Sequence, residues 1–301
     1  MKSLLLALVL VGANAFAAET YTFTGSTTMS KLISDAIDAS GYSNNGDASH
    51  DVMIYNAISS GEGEKQLLKG GQGIAPMSRE FNPKLVAAIK ANQGADIVGH
   101  KIALDGIAVL VKAENSVKSL DKQTILDIYT CVVTDWSKIK GSGKSGPIVA
   151  WEAEKGSGTT DTFKEFIGYD KKKDFGTCVQ RANSANEMGA KVAADPAAIG
   201  FAGVNEISAG HNRAVEVATV SGENGVLPTP TSIKSFPNAG SYPFTRYLWV
   251  YEVVGKVNPP ADAAVSNVRM PTALESAFLK NVTHRPFMDK IVRANHFTTL
   301  P

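Results

Sequence analysis

The stretch YTFTGSTTMSKLISDAI, residues 21–37, decides the fold. Tyr21 to Thr24 is rich in β-favouring residues, Gly25-Ser26-Thr27-Thr28 is a small polar loop, and Met29, Leu32, Ile33, Ala36 and Ile37 recur at helical spacing. The order is strand, hydroxyl-rich loop, helix. It returns from Val52 to Ile58, a predicted strand followed by Ser59-Ser60-Gly61-Glu62-Gly63 and a short helix through Leu67-Leu68. A third unit runs from Ile74 to Met77, through Ser78-Arg79, into a helix capped by Asn82, opened by Pro83 and ending at about Asn92. Ile97-Val98 and Ile102 to Val111 are near-continuous apolar runs, the pattern expected of parallel strands buried on both faces. Strands alternating with helices place the chain in the α/β class.

The second half predicts a helix from Asp121 to Tyr129, a Gly/Ser/Lys loop from Lys138 to Pro147 and a strand from Ile148 to Trp151. Gly156-Ser157-Gly158-Thr159-Thr160 then opens a helix with Phe163, Phe166 and Ile167 on one face. A helix over Asn186 to Ala194 and a buried strand over Ile199 to Gly203 follow. Val226 to Tyr242, broken by Pro228, Pro230 and Pro237, reads as a connection without regular structure. Tyr247 to Val254 predicts a strong strand, and two helices close the chain, one with the capping box Thr272-x-x-Glu275 and one with Pro286 near its start.

With 301 residues, 44% hydrophobic and 20% charged, the chain buries a sizeable core and suggests two domains. Thirty basic against 29 acidic residues leave a formal charge of +1, no field to hold a polyanion, so nucleic acid is excluded as a partner. Lys2, the apolar run Leu4 to Val11 and Ala15-Phe16-Ala17 have the form of a secretory signal peptide over residues 1–17, with no lipid-anchoring cysteine after it. The expected location is periplasmic or secreted, with no membrane span. Export makes Cys131 and Cys178 candidates for a disulfide that contributes about 4 kcal/mol by loop entropy, with two free buried thiols as the alternative.

Several motifs fail on inspection. Gly141-Ser142-Gly143-Lys144-Ser145 lacks the first glycine of a nucleotide phosphate loop and runs into Pro147 and a strand where a helix must begin. No serine stands in G-x-S-x-G, and the five histidines have no metal-ligand spacing, so triad, zinc and cofactor chemistry have no support. What recurs is a Ser/Thr/Gly loop at a helix start: Ser26-Thr27-Thr28, Ser59-Ser60-Gly61 and Ser157-Gly158-Thr159-Thr160. A helix start has unpaired N–H groups and roughly half a positive charge, and hydroxyls add donors without adding charge. Converging, three such ends grip a small oxyanion; separately, each hydroxyl caps its own helix. Ser78-Arg79 adds a guanidinium fork that fits an oxyanion.

In order and spacing these motifs resemble the phosphate-binding subunit of bacterial ABC importers, a type II periplasmic binding protein. The resemblance extends over nearly the whole chain after the leader and includes Ile102-Ala103-Leu104-Asp105-Gly106-Ile107-Ala108-Val109, Asp135-Trp136-Ser137, Ile199-Gly200-Phe201-Ala202-Gly203 and Tyr242-Pro243-Phe244. It implies two α/β domains, each a mixed sheet flanked by helices, closing on phosphate about two crossing segments. One domain would be 18–112 with 246–301, the other 113–245, which holds both cysteines. It also implies a receptor that delivers inorganic phosphate to a membrane permease; a monomer is expected.

Two positions depart from the family pattern. Ala153 stands where well-studied members have an arginine, and Arg79 stands where some have the aspartate that accepts the phosphate proton. Arg79 is therefore expected to be the main charged contact, with Glu80, Glu152 and Glu154 as substitute proton acceptors. Competing readings are a secreted hydrolase with a Ser or Thr nucleophile, a phosphate sensor or adhesin on the same scaffold, and a receptor for another oxyanion such as sulfate.

Overall fold

In the computed structural model, which describes residues 19–44, 51–153, 157–204, 207, 212–219 and 224–301, the opening stretch forms strand β1 (Thr20–Gly25), a 3-10 turn at Thr27–Met29 and helix α1 (Ser30–Ala39). The signal-peptide segment, residues 1–17, lies outside the described residues. Leu32, Ile33, Ala36 and Ile37 share one face of α1 and are fully buried, as their spacing requires. Strand β2 (Val52–Ala57) pairs parallel with β1, from Thr20 opposite Val52 to Gly25 opposite Ala57. Helix α2 (Ser60–Leu68), strand β3 (Ile74–Met77) and helix α3 (Pro83–Gln93) follow, α3 with Asn82 as cap and Pro83 at its first position.

The apolar runs around residues 97–111 form one 17-residue strand, β4 (Asp96–Lys112). After it come β5 (Ser119–Asp121), α4 (Lys122–Tyr129), β6 (Val149–Glu152), α5 (Gly158–Ile167), β7 (Gln180–Arg181), α6 (Ala185–Ala194), β8 (Ala198–Gly203), β9 (Asn212–Ala214) and β10 (Glu216–Ala218). The proline-rich connection holds a five-residue helix, α7 (Pro230–Lys234). Pro230 sits where no N–H is needed, and Thr229 with Ser232 completes a capping box. Strand β11 (Thr245–Val254) and helices α8 (Ala273–Thr283) and α9 (Arg285–Ala294) complete the order.

Among the described residues, seven strands join in one sheet in the order β3-β11-β4-β8-β6-β7, with β9 also on β4. The expectation of parallel pairing for the 102–111 run is corrected: β4 is antiparallel to β11, β8 and β9. Its continuous hydrophobicity comes from burial on both faces, with Ile107, Val109 and Val111 in one cluster and Ala108 and Leu110 in another. Such burial is blind to the direction of the neighbours.

Residues Asp96 to Gly106 of β4 pair with β11, and Ile107 to Val111 pair with β8. The strand thus links two groups of cores. The first is built on α1, α8 and α9 with a smaller cluster around Phe81 and Tyr251; the second is built on Tyr129, Trp136, Phe163, Phe201 and Phe244. Cys131 and Cys178 form a disulfide with Cα atoms 5.8 Å apart. It bridges a sequence separation of 47 within the second group and contributes about 4 kcal/mol by the loop-entropy estimate.

Candidate functional site

The hydroxyl loops converge where β4 passes from one group of cores to the other. Thr28, from the turn after β1, has its Oγ1 2.9 Å from Thr159 Oγ1 at the start of α5. Ser60, the first residue of α2, lies 3.2 Å from Ser78 Oγ and accepts the Ser78 N–H at 3.1 Å. Gly158 links the two pairs. A Cβ there would fall 2.5 Å from Ser78 Oγ and 2.7 Å from Ser60 Oγ, so only glycine lets the backbone come this close.

The hydroxyls divide into those used by their own helix and those that are not. Ser59 accepts the Glu62 N–H and Ser157 accepts the Thr159 N–H, ordinary capping bonds. Gly61 is exposed on α2, and Thr27 opens the 3-10 turn, half-buried. Ser26, by contrast, makes no capping bond, and its buried Oγ has no partner. Thr160 Oγ1 is likewise buried without one. A buried hydroxyl left unpaired costs about 1–3 kcal/mol, so Ser26 and Thr160 stand apart from the hydroxyls that cap their own helices.

The cation among these hydroxyls is Arg246, which sequence reasoning missed. Its Nη2 donates to Thr159 Oγ1 at 2.9 Å and Thr28 Oγ1 at 3.2 Å, and its Nη1 donates to the Gly158 carbonyl at 3.2 Å. Nε and Nη2 both donate to Asp105 Oδ2, at 2.9 and 2.7 Å. Arg246 and Asp105 face each other directly across β11 and β4, and both are buried. Asp105 Oδ1 has no partner. Burial pushes the Asp105 carboxyl above its ordinary range, more strongly than the Arg246 charge and hydrogen bonds pull it down. The signal in the sequence was a lone aspartate in a ten-residue apolar run and an arginine at the head of an apolar strand; charges so placed are buried only when paired.

Arg79, expected as the main charged contact, lines the cleft, and its hydrogen bonds reach none of the clustered hydroxyls. Its Nη1 donates to Glu64 Oε2 and to the Glu80 carbonyl, each at 3.0 Å. Of the substitute proton acceptors, Glu152 is held by Arg181 at 2.6 Å, Glu80 borders the cleft beside Arg79, and Glu154 lies outside the described residues. The cleft has a volume of about 690 Å³ and runs from Arg79 to Arg246. Asp161 of α5 lines it, its carboxyl pushed up by burial and pulled back by the charge of Arg79.

The PBP superfamily domain matches residues 12–269, and the chain belongs to this family. The phosphate-binding protein PstS of Staphylococcus epidermidis is 27% identical over 192 residues, 64% of this chain; the matched region spans 57% of that protein's length. An ABC-type phosphate transport receptor from Vibrio cholerae has the same fold, with a TM-score of 0.69 at 18% identity over 93% of this chain and 99% of that one. A stretch of 53 residues, 18% of the chain, is 40% identical to alkaline phosphatase L of Pseudomonas aeruginosa and covers 14% of it. The architecture is therefore the type II periplasmic-binding-protein fold. No helix among the described residues is long and apolar enough to cross a membrane.

Proposed function

We propose that the protein is a non-enzymatic receptor that captures inorganic phosphate outside the cytoplasm and delivers it, as a monomer, to the permease of an ABC importer. One observation carries this reading. Loops from both core groups bring hydroxyls, helix-start amides and one buried arginine to a single point, with the hydroxyls of Ser26 and Thr160 unpartnered. Such donors replace the water shell of a small oxyanion in a low-dielectric setting, where each charged hydrogen bond is worth about 1.5–3 kcal/mol. The binding set is Ser26, Thr28, Ser60, Ser78, Gly158, Thr159, Thr160 and Arg246. We assign the two lobes to residues 18–112 with 246–301 and to 113–245, hinged where β4 and β11 cross.

Asp105 supplies what a phosphate receptor needs against sulfate. Its free Oδ1 is an acceptor for the hydrogen that bound hydrogen phosphate carries and sulfate lacks, and a carboxyl with a raised pKa shares such a proton readily. The hydrolase alternative needs a base beside a Ser or Thr nucleophile. The described histidines lie elsewhere: His100 bonds Glu252, and His284 and His296 flank α9.

Calorimetry on ligand-stripped protein tests the proposal. One phosphate per chain, with sulfate binding at least about tenfold more weakly, is the expected result; no heat and no melting shift in millimolar phosphate removes it. Turnover of a chromogenic phosphate ester that is lost in Ser157→Ala would restore the hydrolase.

A further inference from the structure

Ser26, Ser60 and Ser78 come from one lobe but from three separate loops, so something must fix their spacing. Ser78 is tied to Ser60, and the Ser26 N–H donates to the Pro76 carbonyl of β3 at 3.0 Å. The remaining joint, between the end of β1 and the first turn of α2, is made by a side chain outside the hydroxyl cluster. It is Gln72, set among glycines in Gly70-Gly71-Gln72-Gly73 and only 1% exposed.

Gln72 Oε1 accepts the Thr24 N–H at 2.9 Å, while its Nε2 donates to the Thr24 carbonyl at 2.9 Å and to the Gly63 carbonyl at 3.3 Å. A primary amide carries a donor and an acceptor together, so one side chain satisfies both backbone groups of Thr24 as a neighbouring strand would. An apolar side chain can do neither. The two backbones meet beside it: a Cβ on Gly63 would lie 3.0 Å from Gly25 Cα and 3.0 Å from the Thr24 carbonyl oxygen. On the far side of the loop the Tyr55 hydroxyl donates to the Ser26 carbonyl at 2.8 Å. Ser26 is therefore held at its N–H and its carbonyl while its Oγ has no partner.

The segment that carries Gln72 is itself anchored. The Gly73 N–H donates to Glu275 Oε1 at 2.6 Å, and Arg269, paired with Glu275 at 2.6 Å, donates to the Gly70 carbonyl at 3.0 Å. Tyr21 of β1 gives its hydroxyl to the same carboxylate. This ion pair takes no part in the binding set, yet it fixes both the strand that leads to Ser26 and the segment that clamps it.

We infer that Gln72 is a positioning residue of the anion site, with the Tyr55 hydroxyl as its counterpart: together they set the Ser26 loop against the start of α2. Neither touches the ligand. Donors fixed before the ligand arrives lose less freedom when it binds, and that saving appears as affinity. The inference rests on the phosphate reading of the site.

The test is calorimetry with inorganic phosphate, beside melting curves, on ligand-stripped parent, Gln72→Leu, Tyr55→Phe and a matched control, Gln93→Leu. Gln93 is also a buried glutamine of this lobe, but it bonds Asn258, Ser266 and Val268 and none of the site's loops. Both glutamine variants should melt earlier than the parent. Only Gln72→Leu should lose about tenfold in phosphate affinity, equal to 1.4 kcal/mol, with Gln93→Leu within about twofold of the parent and Tyr55→Phe weaker by about threefold. Because Gln72 acts through Ser26, the loss in Gln72→Leu combined with Ser26→Ala should fall short of the product of the two single losses. Parental affinity in folded Gln72→Leu, a loss no greater than that of Gln93→Leu, or simple multiplication in the double variant overturns the inference and leaves the phosphate reading standing. Should Gln72→Leu not fold, Tyr55→Phe, which removes a single oxygen, decides: parental affinity there overturns it. A parent that binds no phosphate overturns both.

Discussion

Arg246 and Arg79 both border the cleft, and their surroundings differ. Arg246, with 4% of its side chain exposed, is held by a fully buried Asp105 and reaches hydroxyls from two separate loops. Arg79, with 14% exposed, is tied to Glu64 and to the backbone of its own neighbour. Sequence motif favours Arg79, since it follows a serine loop. Packing favours Arg246, because removal from water makes its hydrogen bonds strong and leaves the partners that remain costly to strand.

The sharpest way to break this comparison is Arg246→Ala. Losing one member of a buried, hydrogen-bonded pair costs about 3–5 kcal/mol, so phosphate affinity should fall by at least a hundredfold, measured by calorimetry alongside a melting curve. Retention of parental affinity would mean that the ligand lies elsewhere. Gly158→Ala should come next: its Cβ would press on Ser78 Oγ and Ser60 Oγ, and overpacking of this kind costs about 1–3 kcal/mol. A ten- to hundredfold loss of phosphate affinity is expected, and none at all would show that the loops move apart freely. Arg79→Ala should weaken phosphate binding less than Arg246→Ala does, since Arg79 is paired with Glu64 and bonds none of the clustered hydroxyls. A larger loss from Arg79 than from Arg246 would reverse the assignment.

Two carboxylates with opposite shifts give a pH prediction. Burial raises the Glu275 carboxyl, but the Arg269 fork, the Thr272 N–H, the Tyr21 hydroxyl and the Gly73 N–H together hold it below its ordinary 4.5. Its contribution is present above pH 4.5 and is lost as pH falls through the lowered folded-state value. Asp105 is raised, so its burial favours folding at low pH and weighs against folding as pH climbs above its ordinary 3.8. Urea melts of Glu275→Gln between pH 5 and 3 should therefore fall less steeply than those of the parent, and Asp105→Asn should fall more steeply. Parallel curves would contradict both shifts.

Much of the fold was legible because its signals are local. Asn82-Pro83 and Thr272-x-x-Glu275 start helices by chemistry confined to one turn, and the spacing of Leu32, Ile33, Ala36 and Ile37 selects a face without knowledge of what covers it. The direction of the strands flanking residues 102–111 was not legible, because burial on both faces erases the alternation that would carry it. The loops of the site were legible as a recurring composition. Its arginine was not, because Arg246 acquires its place only by pairing with Asp105, 141 residues earlier, across two strands whose register no local pattern states. Ser59 and Ser26 illustrate the same limit: adjacent to similar loops, one caps its helix and the other is left free.

The most direct measurement is a crystal structure of the ligand-stripped protein soaked in phosphate. The account predicts one tetrahedral ion among Ser26, Thr28, Ser60, Ser78 and Thr159, accepting hydrogen bonds from Arg246 with an oxygen against Asp105. An ion held in the cleft by Arg79, with the Arg246 cluster unchanged, would contradict it.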